Sequence, residues 1–592
     1  MSDYHFPYKD ASFLINDLIG FDRMCQEAGL EDVNGELASA ILEEAARFGT
    51  EVFAPLNEVG DKQGARLEED GVHETPGFAE AYRQYADNGW ASLNAREEYG
   101  GQAMPRVLGA ASTEIWYSAC TSLSLCPLLT TGGIEALEAH GTDELKSAYL
   151  PDMISGNWTA SMCLTESQAG SDLAAVACKA APEGDHYLLN GQKIYITWGD
   201  HQMTENIIHL VLARLPDAPA GVRGISLFLV PKFLLDENGR PGKRNDVYCV
   251  GLEHKLGIHG SPTCTLNFGD NGGATGYLVG QPNQGLAAMF TMMNEARQGV
   301  GIQGLGVAER SYQQAAAFAK ERLQGTRSDG SRYPIIEFPD VRRMLMVMRS
   351  ATEAMRGLAY VAAAETDREH QAKDPEKVAK HTARIGLYTP IVKGWLTELA
   401  QEVTYLGSQV HGGMGYIEET GSAQFYRDAR IMTIYEGTTG IQGLDLAGRK
   451  TLGDNGEALQ DLLDEIRATA VAMSAVSGLE VMAGALKKAV DEGVQVRAWL
   501  LENGSRDRNA AGAASVNFMM LMGFLCGGWV MGQSALIAAR KLEAGANDES
   551  FLMAKLTTVQ FYFEHLLPRV NAYTAAVMAG SESMMALAAE QF

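Results

Sequence analysis

The hydrophobic periodicity of this chain changes from helical to β and back again, and this change limits the possible folds more than any other feature. Apolar residues recur at helical spacing over residues 1–158 and again from residue 286 onward. Residues 159–285 instead contain short apolar runs bounded by Gly, Pro, Asn and Asp. A chain with this pattern has to place a β domain between helical ones. We therefore predict an α+β fold.

Four domains are predicted from these changes. A helical N-terminal domain covers residues 1–158, a middle β domain covers 159–285, and a C-terminal helical bundle covers 286–452. The polar, glycine-containing segment Gly453–Ala458 then begins an additional helical domain, 453–592, which has its own apolar stripes. No internal repeat or low-complexity tract interrupts this order.

Several segments predict individual elements. Ala38–Gly60 is expected to form one helix that a glycine ends. His186–Trp198 consists of two β-like runs around Asn190–Gly191, and this dipeptide favours a hairpin turn between two strands. Further strands are expected at Asn206–Leu215 and Gly224–Phe233.

The segment Phe518–Ala539 is apolar and long enough to cross a bilayer, which takes about 20 residues. It also contains four glycines, Gln533 and Ser534, and it lies among amphipathic helices. We therefore predict a buried helix and no stable membrane insertion.

Composition and charge limit the classes of partner. With 46% hydrophobic residues the chain can bury sizeable cores. The formal net charge of −26 argues against nucleic acid as a partner. The eight cysteines form no CxxC pair, and the N-terminus shows no signal-peptide pattern. These observations favour a globular protein of the cytoplasm.

A single carboxylate occupies an unusual position in the segment Arg427–Gln442, RDARIMTIYEGTTGIQ. Glu436 follows an apolar run, in which Ile431, Ile434 and Tyr435 are expected to form a dry wall beside it. Gly437 would allow the backbone to approach a flat ligand closely. A poorly solvated carboxylate has a raised pKa and can act as a general base. The alternative is that Glu436 only caps a helix.

Three other motifs precede this segment in a fixed order: MCLTESQAGSD at Met162–Asp172, GQKIYITWGD at Gly191–Asp200 and QVHGGMGY at Gln409–Tyr416. Together with IYEGT they resemble the signature of the acyl-CoA dehydrogenases, flavoproteins that convert a saturated acyl thioester into a trans-2-enoyl thioester. The resemblance covers most of residues 35–450 and is closest to long bacterial members that include the 3-(methylthio)propanoyl-CoA dehydrogenases. It implies the family's domain order, with an additional helical domain at the C-terminus.

The resemblance implies that Glu436 removes the α proton of the thioester. Its backbone N–H and the flavin ribityl chain would hold the thioester oxygen, because this proton is too weakly acidic for an unassisted carboxylate. Some relatives take the base from a helix, at the position of Ala296 in this chain. Glu295 is one residue away, about 100° around the helix, so the loop glutamate is the predicted base.

The resemblance also implies FAD as the cofactor. Thr197 corresponds to a residue near flavin N5, and Arg322 corresponds to an arginine that pairs with the pyrophosphate. The strip Gln409–Gly413 corresponds to one with which a neighbouring subunit contacts the ADP half of the cofactor. Gly440 departs from the family pattern, in which a glutamine often contacts the adenosine. The predicted cofactor-binding residues are Met162, Leu164, Thr165, Gly170, Ser171, Tyr195, Thr197, Arg322, Gln409, Gly412, Gly413 and Thr438.

Substrate contacts are predicted for Ser171, Asn294, Arg297, Tyr435 and Gly437. Asn294 and Arg297 lie on one helix face, and a solvated surface is the alternative for this pair. No metal site is expected, and His259 and His411 are interpreted as structural. The implied partners are an acyl-CoA, an electron-transfer flavoprotein and a second copy of the chain in a homodimer. An acyl-CoA oxidase, a long-chain acyl-CoA dehydrogenase and a nucleic-acid-binding flavoprotein stay open as alternatives.

Overall fold

A computed structural model of the protein describes residues 4–504 and 506–592. The α-helices in chain order are α1 (Tyr8–Ser12), α2 (Phe21–Ala28), α3 (Gly35–Phe48), α4 (Ala54–Gln63), α5 (Phe78–Asp87), α6 (Arg106–His140), α7 (Asp143–Ile154), α8 (Gly285–Glu321), α9 (Pro339–Gln371), α10 (Pro375–His411), α11 (Ser422–Ala429), α12 (Thr439–Leu444), α13 (Glu457–Ser474), α14 (Glu480–Asn503), α15 (Ala510–Glu543), α16 (Glu549–His565) and α17 (Arg569–Met578). The helix α6 is kinked at Cys120, where the backbone is extended.

The strands in chain order are β1 (Arg66–Glu68), β2 (Gly71–His73), β3 (Trp158–Cys163), β4 (Lys179–Glu183), β5 (His186–Thr197), β6 (Asn206–Ala213), β7 (Ser226–Pro231), β8 (Phe233–Leu235), β9 (Pro241–Arg244), β10 (Val247–Leu252), β11 (Thr263–Phe268), β12 (Ala274–Val279), β13 (Leu323–Thr326) and β14 (Arg332–Pro334). Apart from the short pairs β1–β2 and β13–β14, the strands lie between Trp158 and Val279.

The chain divides into two compact units. The helical unit contains the residues up to Arg47, Pro105–Ser118 and Arg297–Phe592. The sheet unit contains Phe48–Met104 and Ala119–Ala296.

An eight-stranded sheet is the centre of the sheet unit. Its order is β10-β11-β5-β12-β7-β6-β3, with β4 paired to β5, and the β3–β6 pair is its parallel one. Every residue of β6 and β7 is buried, because these apolar runs are covered on both faces. Neighbouring residues point to opposite faces, so Leu210 packs with Trp158 and Met289 in one core, while Val211 packs with Phe268 in the other.

The predicted hairpin at Asn190–Gly191 is wrong. The strand β5 runs unbroken from His186 to Thr197 and passes through this dipeptide. Gly191 has φ 153°, and a Cβ there would lie 3.0 Å from Cα of Cys178, so the glycine serves a close approach of strands. The turn lies instead between β4 and β5, where Glu183 pairs with His186 across a two-residue loop that begins at Gly184, φ 63°.

The helix predicted for Ala38–Gly60 also differs. The helix α3 ends at Phe48, a π-helical turn follows, and α4 continues past Gly60 to Gln63. A Cβ on Gly60 would lie 3.0 Å from the Phe78 ring and 3.1 Å from the Ser122 hydroxyl. This glycine therefore permits close packing and does not end the helix.

The helix α15 is the central element of the C-terminal region in the helical unit. It is apolar on all sides, which is typical of a helix enclosed by others. Gly523 lets α15 approach α10 so closely that a Cβ would lie 2.1 Å from the Trp395 ring. Within the described residues it is the one helix long and apolar enough to cross a membrane. In its most apolar stretch of 18 residues, 72% is buried. The prediction of a buried helix at Phe518–Ala539 is therefore confirmed.

A buried ionic network joins distant parts of the helical unit. Arg356 on α9 donates to the carboxylates of Glu114 on α6, at 2.7 Å, and Asp10 on α1, at 2.6 Å. Lys555 on α16 donates to Asp10 as well, and to Glu353 at 2.6 Å. Removing one partner from such a buried pair costs about 3–5 kcal/mol, because the other charge is left uncompensated.

Candidate active site

The loop that carries Glu436 has a constrained backbone. Glu436 has φ 55°, and Gly437 follows with φ 87°. The left-handed region is uncommon for a residue with a side chain and costs on the order of 1–3 kcal/mol, so surrounding contacts have to impose it. Thr438 then caps α12, since its hydroxyl accepts a hydrogen bond from the Ile441 N–H at 3.3 Å.

Two side chains hold this loop, and they belong to the helical unit, as the loop itself does. The amide of Gln442 donates to the carbonyl oxygens of Glu436, at 3.1 Å, and Gly437, at 3.2 Å. Nε of Arg297 donates to the same Glu436 carbonyl at 3.4 Å. Gln442 is fully buried, and Arg297 is 3% exposed. The sequence did not single out Gln442, because an isolated glutamine six residues after the acid carries no signal of its own.

The carboxyl of Glu436 has the electrostatic properties of a base. Burial raises its pKa from 4.5 to about 7, while the positive charges of Arg297 and Lys393 act in the opposite direction. The expectation of a raised pKa is thus met. The carboxyl is ionised in a substantial fraction of molecules at neutral pH and can accept a proton from a weak carbon acid.

The dry wall expected beside Glu436 is only partly present. The Tyr435 hydroxyl donates a hydrogen bond to the side-chain oxygen of Gln303. Burial and the charge of Glu436 raise the pKa of Tyr435. Ile434, however, is 46% exposed and does not shield the acid.

The other predicted substrate contacts differ in exposure. Asn294 and Ser171 are exposed, and Glu295 is partly exposed. Arg297 is buried, so the alternative of a solvated face is wrong for this residue. Besides the Glu436 carbonyl, the guanidinium of Arg297 lies 3.9 Å from the Asp445 carboxylate.

In the sheet unit, the first two motifs come together. The N–H of Ile194 donates to the carbonyl of Thr165 at 2.9 Å and so joins the loop after β3 to β5. The hydroxyls of Thr165 and Thr197 are half-buried, with no hydrogen-bond partner in the described part of the chain. Tyr195, at φ 60°, is 59% exposed. Polar hydroxyls and an exposed aromatic face fit the edge and the ring of a flavin.

A buried ion pair orients this loop and was not predicted. Lys193 donates to the Glu166 carboxylate at 2.7 Å and to the Leu164 carbonyl at 2.9 Å. Glu166 also accepts the N–H groups of Ala177, at 2.7 Å, and Cys178, at 3.0 Å. Of the remaining predicted residues here, Leu164 is buried, Met162 is partly exposed and Gly170 is exposed.

The predicted pyrophosphate and adenosine contacts lie in the helical unit. Arg322 is exposed directly after α8, and its guanidinium has no partner among residues 4–504 and 506–592. Gln409, Gly412 and Gly413 are exposed at the end of α10. A Cβ on either glycine would meet nothing within 4 Å, so the backbone there is open to a ligand or a neighbouring chain.

Both singled-out histidines have structural partners. Nδ1 of His259 lies 3.0 Å from the Asp61 carboxylate, and this contact raises the pKa of His259 to about 9. Nδ1 of His411 lies 2.7 Å from the Gly407 carbonyl. In the described residues, one group of side chains has metal-ligand spacing, on the surface of the sheet unit: Glu68, Asp70 and His73.

Comparison with known proteins covers almost the whole chain. The model of the acyl-CoA dehydrogenase N-terminal domain matches residues 36–157, that of the middle domain 161–271 and that of the C-terminal domain 283–450. A model described as acetyl-CoA dehydrogenase C-terminal like matches residues 462–588.

Full-length relatives and solved structures agree with these matches. The 3-methylmercaptopropionyl-CoA dehydrogenase of Ruegeria pomeroyi is 46% identical over 98% of this chain and 99% of its own length. A butyryl-CoA dehydrogenase of Syntrophomonas wolfei is 32% identical over 98% of both chains. The fold matches an acyl-CoA dehydrogenase from Bacillus anthracis complexed with FAD, with a TM-score of 0.74, 23% identity and coverage of 92% of this chain and 88% of that one. The chain belongs to the acyl-CoA dehydrogenase family, whose members use FAD to oxidise acyl-CoA thioesters.

Proposed function

We propose that this FAD-dependent acyl-CoA dehydrogenase oxidises 3-(methylthio)propanoyl-CoA, with Glu436 as the base. The observation that carries the substrate is the 46% identity, over nearly the full length, to a dehydrogenase named for 3-methylmercaptopropionyl-CoA, which is the same acyl group. The observation that carries the base is the raised pKa of Glu436 in a loop that Gln442 and Arg297 hold.

The α carbon of the acyl chain loses a proton, and the β carbon loses a hydride. A double bond forms between the two carbons. Glu436 takes the α proton as its carboxylate becomes a carboxylic acid. The backbone of Glu436 is held in the left-handed conformation, and its N–H donates to the thioester oxygen. This oxygen gains negative charge as the proton leaves. Bound FAD would supply the hydride acceptor, because hydride transfer is chemistry that a cofactor provides.

Several residues are assigned to FAD in this proposal. Thr165 and Thr197 bind the polar edge of the ring with their free hydroxyls, and Tyr195 packs against it. Arg322 binds the pyrophosphate through its guanidinium, whose planar donors suit phosphate oxygens. Met162, Leu164, Gly170 and Ser171 complete the ring site, and Thr438 contacts the cofactor beside the base.

The partners are also part of the proposal. Gln409, Gly412 and Gly413 contact the cofactor of a neighbouring copy, so the enzyme is a homodimer. An electron-transfer flavoprotein would accept the electrons that bound FAD takes from the substrate. The acidic surface and the lack of CxxC pairs suit an enzyme of the cytoplasm, and its acyl substrate suits a role in the breakdown of dimethylsulfoniopropionate.

A panel of CoA thioesters with a dye acceptor tests the substrate. We expect butyryl-CoA to be accepted as well, with kcat/KM within about 10–200-fold of that for methylthiopropanoyl-CoA, since one methylene changes discrimination by only about 1–3 kcal/mol. Octanoyl-CoA should be slower and palmitoyl-CoA slowest. A preference for palmitoyl-CoA would instead identify a long-chain dehydrogenase, and rapid turnover with oxygen as the acceptor would identify an oxidase.

A further inference from the structure

A second cation acts on Glu436 besides Arg297. Lys393 lies in the middle of α10 and has no exposed surface. Its ammonium has no hydrogen-bond partner among the described residues. A buried ammonium without a partner is costly, since desolvation removes its water and nothing replaces it. Such a group therefore calls for a functional explanation.

The packing of α8 against α10 fixes the position of Lys393. A Cβ on Gly301 would lie 2.5 Å from Val392, and one on Gly304 would lie 3.2 Å from the Leu396 carbonyl, so both helices meet at close range. The helix α10 also contacts the segment after the base, because the Thr439 hydroxyl donates to Glu398 at 2.5 Å. A rigid helix thus carries the lysine.

Other charged groups act on Glu436, Lys393 and Arg297 from the elements packed around them. From α8, Arg297 acts on both Glu436 and Lys393. From α10, Glu398 acts on Lys393, and beyond α12, Asp445 and Arg449 act on Arg297. From the same loop, the charge of Glu436 acts on Tyr435. Asp445 is 3.9 Å from the Arg297 guanidinium, and Glu398 accepts from Thr439, whereas the Lys393 ammonium has no hydrogen-bond partner among residues 4–504 and 506–592.

The effect of this charge has a definite sign. Burial lowers the pKa of Lys393 to about 8, against the opposing effect of Glu436, so the ammonium is still mainly protonated at neutral pH. Its positive charge lowers the pKa of Glu436, and burial raises that pKa. A positive charge near a desolvated carboxylate favours the ionised form, and only the ionised form can take a proton.

We propose that Lys393 is a positioning residue of the dehydrogenation, a buried and unpaired ammonium whose charge keeps Glu436 ionised at neutral pH. The lysine touches neither substrate nor cofactor in this role and acts through Glu436 alone. When Glu436 takes the α proton, the pair loses its negative member, and the raising effect of Glu436 on the pKa of Lys393 is lost. This inference rests on Glu436 being the base.

The test is the pH dependence of flavin reduction by acyl-CoA in the FAD-loaded enzyme, followed anaerobically in a stopped-flow spectrometer. We expect Lys393→Met to move the acid limb of the profile upward by about one to three pH units, the range for losing a nearby opposite charge. The limiting rate at high pH should change much less. Lys393→Gln is a second neutral variant. Lys450→Met, the same change at a partly exposed lysine, should leave the profile unchanged.

Infrared difference spectra between acidic and basic pH provide a readout independent of turnover. The band of the protonated Glu436 carboxyl, assigned by its loss in Glu436→Gln, should persist to higher pH in Lys393→Met. Unchanged profile and unchanged spectra in both neutral variants would overturn the role of Lys393. If none of the acyl-CoAs tested reduces the flavin of the unmodified enzyme, the proposed function itself fails. The two failures are therefore distinguishable.

Discussion

Glu436→Gln should make the enzyme inactive and, at basic pH, more stable. The amide keeps the shape of a protonated carboxyl but accepts no proton. The rate of flavin reduction by acyl-CoA should fall at least about 10²–10⁴-fold, the usual contribution of a general base. The FAD content should be normal, because the amide occupies the same space.

The gain in stability follows from the pKa of Glu436. The folded state raises this pKa from 4.5 to about 7, so folding favours the protonated form. A raised carboxyl pKa leaves stability unaffected below the unfolded value and lowers it as pH rises towards the folded value. The full loss above pH 7 is about 3 kcal/mol, at about 1.4 kcal/mol for each pKa unit. Glutamine at this position does not incur the loss at any pH.

Thermal unfolding from pH 4.5 to pH 8.5, with a fixed excess of FAD, measures this difference. At roughly 2.1 cal/mol/K for each residue, a chain of this length that unfolds as one unit has an unfolding entropy near 1.2 kcal/mol/K, so the variant should melt about 2–3 °C higher at pH 8. The two proteins should melt together near pH 4.5. Glu419→Gln, at an exposed carboxylate of the same unit, is the stability control.

Glu295→Gln is the activity control. It should reduce its flavin at a rate close to that of the unmodified enzyme. The reasoning would be refuted if Glu436→Gln stayed active while Glu295→Gln was inactive, or if the difference in melting temperature did not depend on pH.

Three further predictions follow from the site. The purified protein should be yellow and release one FAD per chain on heat denaturation, and FMN in its place would contradict the cofactor residues. Gly437→Ala should lower kcat, because the added Cβ would lie 2.6 Å from the Gln442 amide at φ 87° and cost about 1–2 kcal/mol, whereas Gly440→Ala, with only one neighbour at 3.7 Å, should not. The solution mass should be that of two chains, and a fully FAD-loaded single chain would count against the role of Gln409 at a neighbour's cofactor.

The sequence predicted those features that local chemistry determines. The strands β6 and β7 follow from continuous apolar runs, which only a buried strand or helix accommodates. The raised pKa of Glu436 was predicted from its apolar neighbours, and burial does raise it, although Ile434 is itself exposed. The hairpin at Asn190–Gly191 was mispredicted because a glycine that serves close strand packing looks the same in sequence as one that serves a turn.

The supports of the site could not be predicted in this way. Gln442 and Lys393 act on Glu436 from α12 and α10, and α10 is placed by its close contact with Gly301 and Gly304 of α8. Lys193 pairs with Glu166, which lies 27 positions earlier in the chain. Such partners depend on tertiary packing, and a single glutamine or lysine in a helix or strand carries no periodic signal.

The buried network around Arg356 has a consequence for synthesis on the ribosome. Asp10 and Lys555 are 545 residues apart in the chain, so Asp10 is made long before its partner. At bacterial or eukaryotic elongation rates of about 5–20 residues per second, that delay is roughly half a minute to two minutes. During this time the second carboxylate oxygen of Asp10, on α1, has no lysine to neutralise it. The N-terminal helices therefore cannot reach their final buried state. The last helices of this protein therefore complete the packing of the first.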